Sequence, residues 1–158
     1  MFDMNAQEKI AFKNKLKQFC TDTINKRIEV AKVAVANAQQ AANNEEKSSA
    51  GDKFETGRAM SHLEREMHAK QLSENVKELS TLHAINTNEI YTAINAGAFI
   101  KCAEISFFIA AGLGKQIIDG ETILFLSPGA PLAKLMEHKK QGDKFIFSGK
   151  DIFVIEIY

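Results

Sequence analysis

The sequence predicts an α+β protein: an N-terminal antiparallel coiled-coil hairpin of two helices, followed by a small β-rich domain with one short helix. Composition is the first reason. Residues 1–85 hold two of the nine glycines, no proline, and an excess of Ala, Lys, Glu, Gln and Asn, residues that helices favour or tolerate. Both prolines and seven of the eleven phenylalanines fall later, where short Ile/Phe runs alternate with turn residues, the pattern of strands. The third reason is a heptad spacing in the first part. The expected division is 1–85 for the hairpin and 86–158 for the β-rich domain, and 158 residues suit this organisation.

In the first region Ile24, Ile28, Ala31, Val35, Ala38 and Ala42 recur at 4-3-4-3-4, a narrow coiled-coil seam whose small residues allow close helix approach. The polar stretch 43–51 has loop composition and would place the hairpin tip near 43–55. Periodicity resumes at Met60, Leu63 and Met67, then Leu72, Val76 and Leu79, with a stutter between Met67 and Leu72. About 30 helical residues at 1.5 Å each give an arm of roughly 45 Å. Such an arm has little core of its own and needs an anchor.

The second region supplies the anchor. Strands are expected at 98–103, 105–111, 116–118 and 122–126, with Asp119-Gly120 as a tight turn between the last two. Pro131 opens a short helix to His138. Strands 144–147 and 152–157 would pair across Ser148-Gly149-Lys150-Asp151, and Gly112-Leu113-Gly114-Lys115 reads as another hairpin turn.

Charge narrows the functional classes. Twenty Lys+Arg balance twenty Asp+Glu, which argues against a broad basic surface for DNA or RNA. No apolar run approaches the roughly 20 residues of a membrane span, and no leader-like segment opens the chain, so a soluble, cytoplasmic protein without membrane contact is expected. Lys9, Lys13, Lys15, Lys17, Lys26, Arg27 and Lys32 form a mild basic excess, read as a solvated face or as help for an arm working near nucleic acid, with weak DNA contact at most. Cys20 and Cys102 are expected to be buried, inert thiols. His62 and His68, six apart, lie on different helical faces and match no metal motif.

Two stretches resemble the bacterial Gre transcription elongation factors. Ser127-Pro128-Gly129-Ala130-Pro131-Leu132-Ala133-Lys134-Leu135, followed by Lys139-Lys140-Gln141-Gly142-Asp143, is similar to that family's C-terminal signature, with His138 where a glycine is usual. Gly51-Asp52-Lys53-Phe54-Glu55 resembles the Gly-Asp-x-x-Glu of the family's coiled-coil tip. The chain then reads Thr56-Gly57-Arg58-Ala59 where the family often has Asn-Ala-Glu-Tyr. The resemblance implies an FKBP-like C-terminal domain and an arm that enters the secondary channel of bacterial RNA polymerase. It implies that Asp52 and Glu55 are tip acids helping the polymerase hold a second Mg²⁺, so that a backtracked transcript is cut. Ser127, Pro131, Leu132 and Lys134 would lie at the docking surface.

Hard oxygen donors suit Mg²⁺, and the role fits two-metal phosphoryl chemistry. The protein would be a monomeric accessory factor rather than an enzyme, with no cofactor of its own, sharing Mg²⁺ with the polymerase and meeting nascent RNA only indirectly. The plainer alternative makes Asp52 an N-cap with Glu55 completing a capping-box-like pair. Two other functions stand beside cleavage: a non-cleaving secondary-channel regulator, and an adaptor that uses the hairpin to dock another protein.

Overall fold

The computed structural model describes the backbone of residues 3–46 and 51–158, and the side chains of 3–44, 56–57 and 59–158. The protein is α+β. Two long helices, α1 (Ala6–Glu46) and α2 (Gly51–Ala84), precede strands β1 (Phe99–Lys101), β2 (Ser106–Ile109), β3 (Gly114–Ile118) and β4 (Glu121–Leu126). Helix α3 (Pro131–Met136) and strands β5 (Lys144–Phe147), β6 (Lys150–Phe153) and β7 (Glu156–Ile157) complete the chain. The chain forms two compact units, one of Met1–Thr21 with Thr81–Tyr158 and one of Asp22–Ser80. The change of composition near 85 therefore lies inside the first unit, and α1 contributes to both.

In the first unit a five-stranded sheet has the order β3-β4-β2-β1-β7. All pairs are antiparallel except β2 with β4, which run parallel from Ser106↔Ile123 to Ile109↔Leu126. Strand β2 is buried at every residue, so its Ser-Phe-Phe-Ile run needs no polar alternation. Phe107 faces one side and meets Phe145 and Phe147 edge-on, at 5.4 and 5.7 Å between ring centroids. That side also holds Ile100, Ile109, Ala133, Met136 and Val154. On the other side Phe108 meets Phe125, Phe125 meets Phe19, and Phe99 meets both Phe12 and Tyr158. The opening turns of α1 thus roof one face of the sheet, while α3 and the β5–β6 hairpin close the other.

Several strand expectations change. Asp119 and Gly120 both have positive φ, 52° and 79°, as expected of a tight hairpin turn. Gly112–Lys115 is not a hairpin turn: β3 pairs with β4 and not with β2, so this segment carries the chain across to the sheet edge. The expected strand 152–157 is two strands. Residues 150–153 pair with β5, then Val154 donates to the Asp143 carbonyl, Ile155 donates to that of Lys101, and β7 joins the main sheet. The turn before β6 is consequently shorter, with positive φ at Ser148 and Gly149.

In the second unit the α1 seam is as the spacing predicts: Ile24, Ile28, Ala31, Ala38 and Ala42 are buried and Val35 is half-buried. Helix α1 runs to Glu46, as expected for residues 6–46, because the Asn and Glu residues that open the polar stretch are tolerated in helices. The inner stripe of α2 differs from the prediction. Ser61 is buried, and Arg65, His68, Leu72, Asn75 and Leu79 are half-buried at steps of 4-3-4-3-4. That is an unbroken heptad without a stutter. Met60, Leu63, Met67 and Val76 are exposed instead. Arg65 donates to Gln39 Oε1 at 2.6 Å, and Gln39 donates on to Asn43 Oδ1 at 3.0 Å. A polar layer of this kind fixes partner and register where apolar bulk does not.

The fragment 86–158 lacks the α1 roof over Phe99, Phe108 and Phe125. Expressed alone, it is expected to bind a hydrophobic dye and to lose a cooperative thermal transition, the behaviour of an unpacked core. A fragment that unfolds as sharply as the full chain would show that the roof is dispensable.

Candidate functional site

Three groups of residues bear on function: the start of α2, the segment around α3, and the inner face of the first turns of α1.

Helix α2 begins at Gly51, so Asp52 is its second residue and Glu55 its fifth. Both belong to the first turns, where carboxylates favour the positive helix end, but Asp52 is past the N-cap position. Their side chains lie outside the described residues, as does any metal arrangement they would make. Among the described residues no group of three or more His, Cys, Asp or Glu is arranged to hold a metal ion.

The 127–143 segment is described fully. Ser127 shapes a turn: its hydroxyl accepts from Gly129 N at 3.4 Å and its carbonyl from Ala130 N at 3.0 Å. Ala130 is the N-cap and makes no side-chain cap, and Pro131 opens the helix, where its missing N–H costs nothing. Ala133 and Met136 are the buried residues of α3. Leu132 is half-buried, whereas Pro131, Lys134 and Leu135 are exposed, Leu135 by 54%. Leu135 therefore does not pack the helix onto the sheet; Met136 does. Pro131, Lys134 and Leu135, at i, i+3 and i+4, form an outward surface, while Ser127 and Leu132 are half-buried.

The following motif is a backbone device. Gly142 has φ 90°, and its N–H donates to the Val154 carbonyl at 2.8 Å. The Asp143 carboxylate accepts from Lys140 N at 2.8 Å. His138, standing where the resembled family has glycine, has φ 69°. This left-handed conformation ends α3 and suits glycine, since a Cβ there is strained.

The sequence gives least warning of the third group. Lys9, Lys13 and Lys17 stand four apart on one stripe of α1. They are not a solvated face. Lys9 pairs with Glu156 at 2.6 Å and lies 5.2 Å from the Tyr158 ring centroid. Lys17 donates to the Ile85 carbonyl at 2.7 Å. Lys13 is completely buried and donates to the carbonyls of Glu89 (2.6 Å) and Gly97 (3.0 Å), with its amine 4.6 Å from the centre of the Tyr91 ring. Beside the stripe, Lys15 binds Asp119 at 2.7 Å, and Asn14 links Thr87 to Asn88.

Burial pulls the Lys13 ammonium down to about 8, and the nearby Glu89 charge opposes the shift only in part. Burial also raises the Tyr91 hydroxyl, pushes the Cys102 thiol up to about 11, and raises the Tyr158 hydroxyl further. Cys20 and Cys102 are both buried, as expected, and a thiol as hard to ionise as that of Cys102 is a poor nucleophile. The lysine stripe is a fastening of the fold and offers no reactive amine to solvent.

The Lys13 shift fixes a sign for pH dependence. The folded amine loses its proton near pH 8, whereas an unfolded lysine keeps it to about 10.5. Between those values the unfolded state holds more protons, so stability rises with pH. The neutral amine still has N–H groups for both carbonyls. Relative to Lys13→Met, the wild type should gain about 1 kcal/mol between pH 8 and 9, with the Cys102 contribution common to both. Parallel pH profiles in urea titrations would show that Lys13 keeps its proton as readily in the folded chain as in the unfolded one, against the lowered pKa. His138→Gly should raise stability by up to about 1 kcal/mol by removing the left-handed strain. An unchanged melting temperature would mean that the imidazole makes a compensating contact. Comparison of the chain with protein-family models, with curated proteins and with solved structures found no match.

Proposed function

We propose that the protein is a Gre-type accessory factor of bacterial RNA polymerase. In this reading α1 and α2 form an antiparallel coiled-coil hairpin whose tip enters the secondary channel. Asp52 and Glu55 lend carboxylate oxygens to a second Mg²⁺ at the polymerase's own active site, and the backtracked transcript is cut there. In this reading the chain assists an enzyme rather than being one. The region from 86 onward is an FKBP-like docking domain that presents Ser127, Pro131, Leu132 and Lys134, and the whole acts in the cytoplasm.

The observation that carries the reading is the placement of the acids. Asp52 and Glu55 occupy the first turns of the second of two long helices, of 41 and 34 residues, ahead of a small sheet domain. A spacing of three sets both on neighbouring positions of one helical face. The Arg65–Gln39 hydrogen bond and a groove lined by residues of 23–34 and of 68–78 support antiparallel pairing, because residues early in α1 stand beside residues late in α2. The exposed Pro131, Lys134 and Leu135 support a docking role for α3.

The same site favours one second reading, a regulator that occupies the channel without promoting cleavage. Thr56 and Gly57 follow Glu55 inside α2, and a glycine there weakens the helix that would hold the acids in place. Co-purification with polymerase separates both readings from a docking adaptor. Cleavage assays on a stalled, backtracked complex separate them from each other. Asp52→Asn and Glu55→Gln, which keep size and remove charge, should abolish stimulated cleavage and leave polymerase binding nearly unchanged. If wild type and both variants give equal cleavage, the tip acids have no catalytic role and the regulator is the better account.

A further inference from the structure

The unit formed by Asp22–Ser80 leaves one face of its helix pair open. A groove of about 650 Å³ runs there, lined on the α1 side by Lys26, Arg27, Val30 and Ala34 and on the α2 side by Gln71, Glu74 and Glu78. Val30 is 70% exposed. Met60 and Met67, also exposed, stand on the same stripe of α2 as Gln71 and Glu74, since steps of seven, four and three residues return to one helical face. From Val30 the α1 stripe continues through Ala34, Asn37 and Ala41 at 4-3-4, all small side chains, and the Gln39–Arg65 bond puts this stretch beside the Met60–Met67 stretch. One helix thus offers a shallow row and a basic rim, and the other offers bulky thioethers and an acidic rim. Among the described residues Lys26, Arg27 and Glu74 take part in no ion pair.

We propose that this face binds a second copy of the chain about a two-fold axis running along the groove. That axis sets α1 of each copy over α2 of the other at equal height. Met60 and Met67 then meet the shallow row of the partner, and Lys26 and Arg27 meet the partner's Glu74. An isologous contact must be complementary to itself, and a face with one basic and one acidic rim is. A lipid surface or a nucleic acid would instead call for a single positive sign. The stretch from Lys26 to Ala41 is roughly 24 Å long and two helices, about 20 Å, wide, so it buries about 1,000 Å² in all. That is the lower edge of specific interfaces, and the polar Asn37 within the row lowers affinity further, so the dimer is reversible. The inference is independent of the polymerase reading and replaces the monomer expected from sequence. A partner that takes up the helix pair must compete with the second copy.

Sedimentation equilibrium of the full chain over a concentration series tests it. The wild type should fit a monomer–dimer equilibrium. Arg27→Glu alone and Glu74→Arg alone should each weaken it by about tenfold or more, because the two-fold axis repeats every repulsion. Circular dichroism should show both variants fully helical. An equimolar mixture of the two, which restores opposite charges at both contacts, should dimerise like the wild type. A wild type that stays monomeric throughout, or reversals that leave the dimer intact, or a mixture that fails to recover it, would each overturn the proposal. None of these readouts involves polymerase, so they stand apart from the cleavage assay.

Discussion

The fold of the first unit depends on how the chain between α2 and β1 is fastened. Residues 85–97 contain no strand or helix, yet Ile85, Thr87, Ile94 and Gly97 are buried. Buried carbonyls need donors; His138 N supplies one to Ile94 beside the Ala93–Lys140 bridge, but the carbonyls of Ile85, Glu89 and Gly97 have no ladder partner. Lysine side chains supply them. Lys13 reaches Glu89 and Gly97, and Lys17 reaches Ile85, from successive turns of α1. The arrangement works only because Gly97 has no side chain: a Cβ there would stand 2.3 Å from the Asn86 carbonyl oxygen, and its φ of 91° already excludes most residues. Removing an ammonium from water is costly, which is why the Lys13 pKa falls; leaving the buried Gly97 carbonyl and the part-buried Glu89 carbonyl without donors is costly too. The structure accepts the first cost to avoid the second.

This fastening explains why the first unit takes in the start of α1. Phe12 and Phe19 can cover Phe99 and Phe125 only if the helix is held over the sheet at a fixed height and rotation. Hydrophobic contact alone is non-directional and sets neither. The lysine stripe sets both, through hydrogen bonds to fixed backbone positions and an ion pair with Glu156 on the last strand. The second unit follows a different rule. Its α1 seam is apolar, but the facing stripe of α2 is largely polar, so specificity there comes from Arg65, Gln39 and Asn43 rather than from burial.

Legibility followed these physical differences. The α1 seam could be read because its buried residues are apolar and regularly spaced. The α2 seam could not: its heptad passes through Ser61, Arg65, His68 and Asn75, and the eye follows Met60, Leu63 and Met67 onto the wrong face. The strands and the Asp119-Gly120 turn were visible in composition and turn chemistry. The parallel β2–β4 pairing was not, because Gly112 and Gly114 announce a turn without saying which strands it joins. The lysine stripe was visible as spacing and misread as solvated charge. Only a long-range contact distinguishes a lysine that caps a carbonyl from one that faces water. Of the candidate site, the outward position of Pro131 and Lys134 agrees with a surface role, while it takes the structure to show that Met136 is buried and Leu135 is not.

The residues that carry the family resemblance divide by what they do in the fold. Gly142 is required by its positive φ, Asp143 caps Lys140 N, Ser127 shapes the turn before α3, and Pro131 starts that helix. A chain with this turn and this short helix needs such residues whatever it binds, so their agreement with a signature speaks first for a shared local backbone. Lys134 and Leu135 are different: both are exposed, and neither is needed to start or stop the helix. A basic and an apolar side chain left outward on a six-residue helix contribute little to stability and are available to a partner. The same division separates Gly51, the first residue of α2, from Asp52 and Glu55, which stand second and fifth in it. The weight of the functional reading therefore rests on those side chains that the backbone does not need.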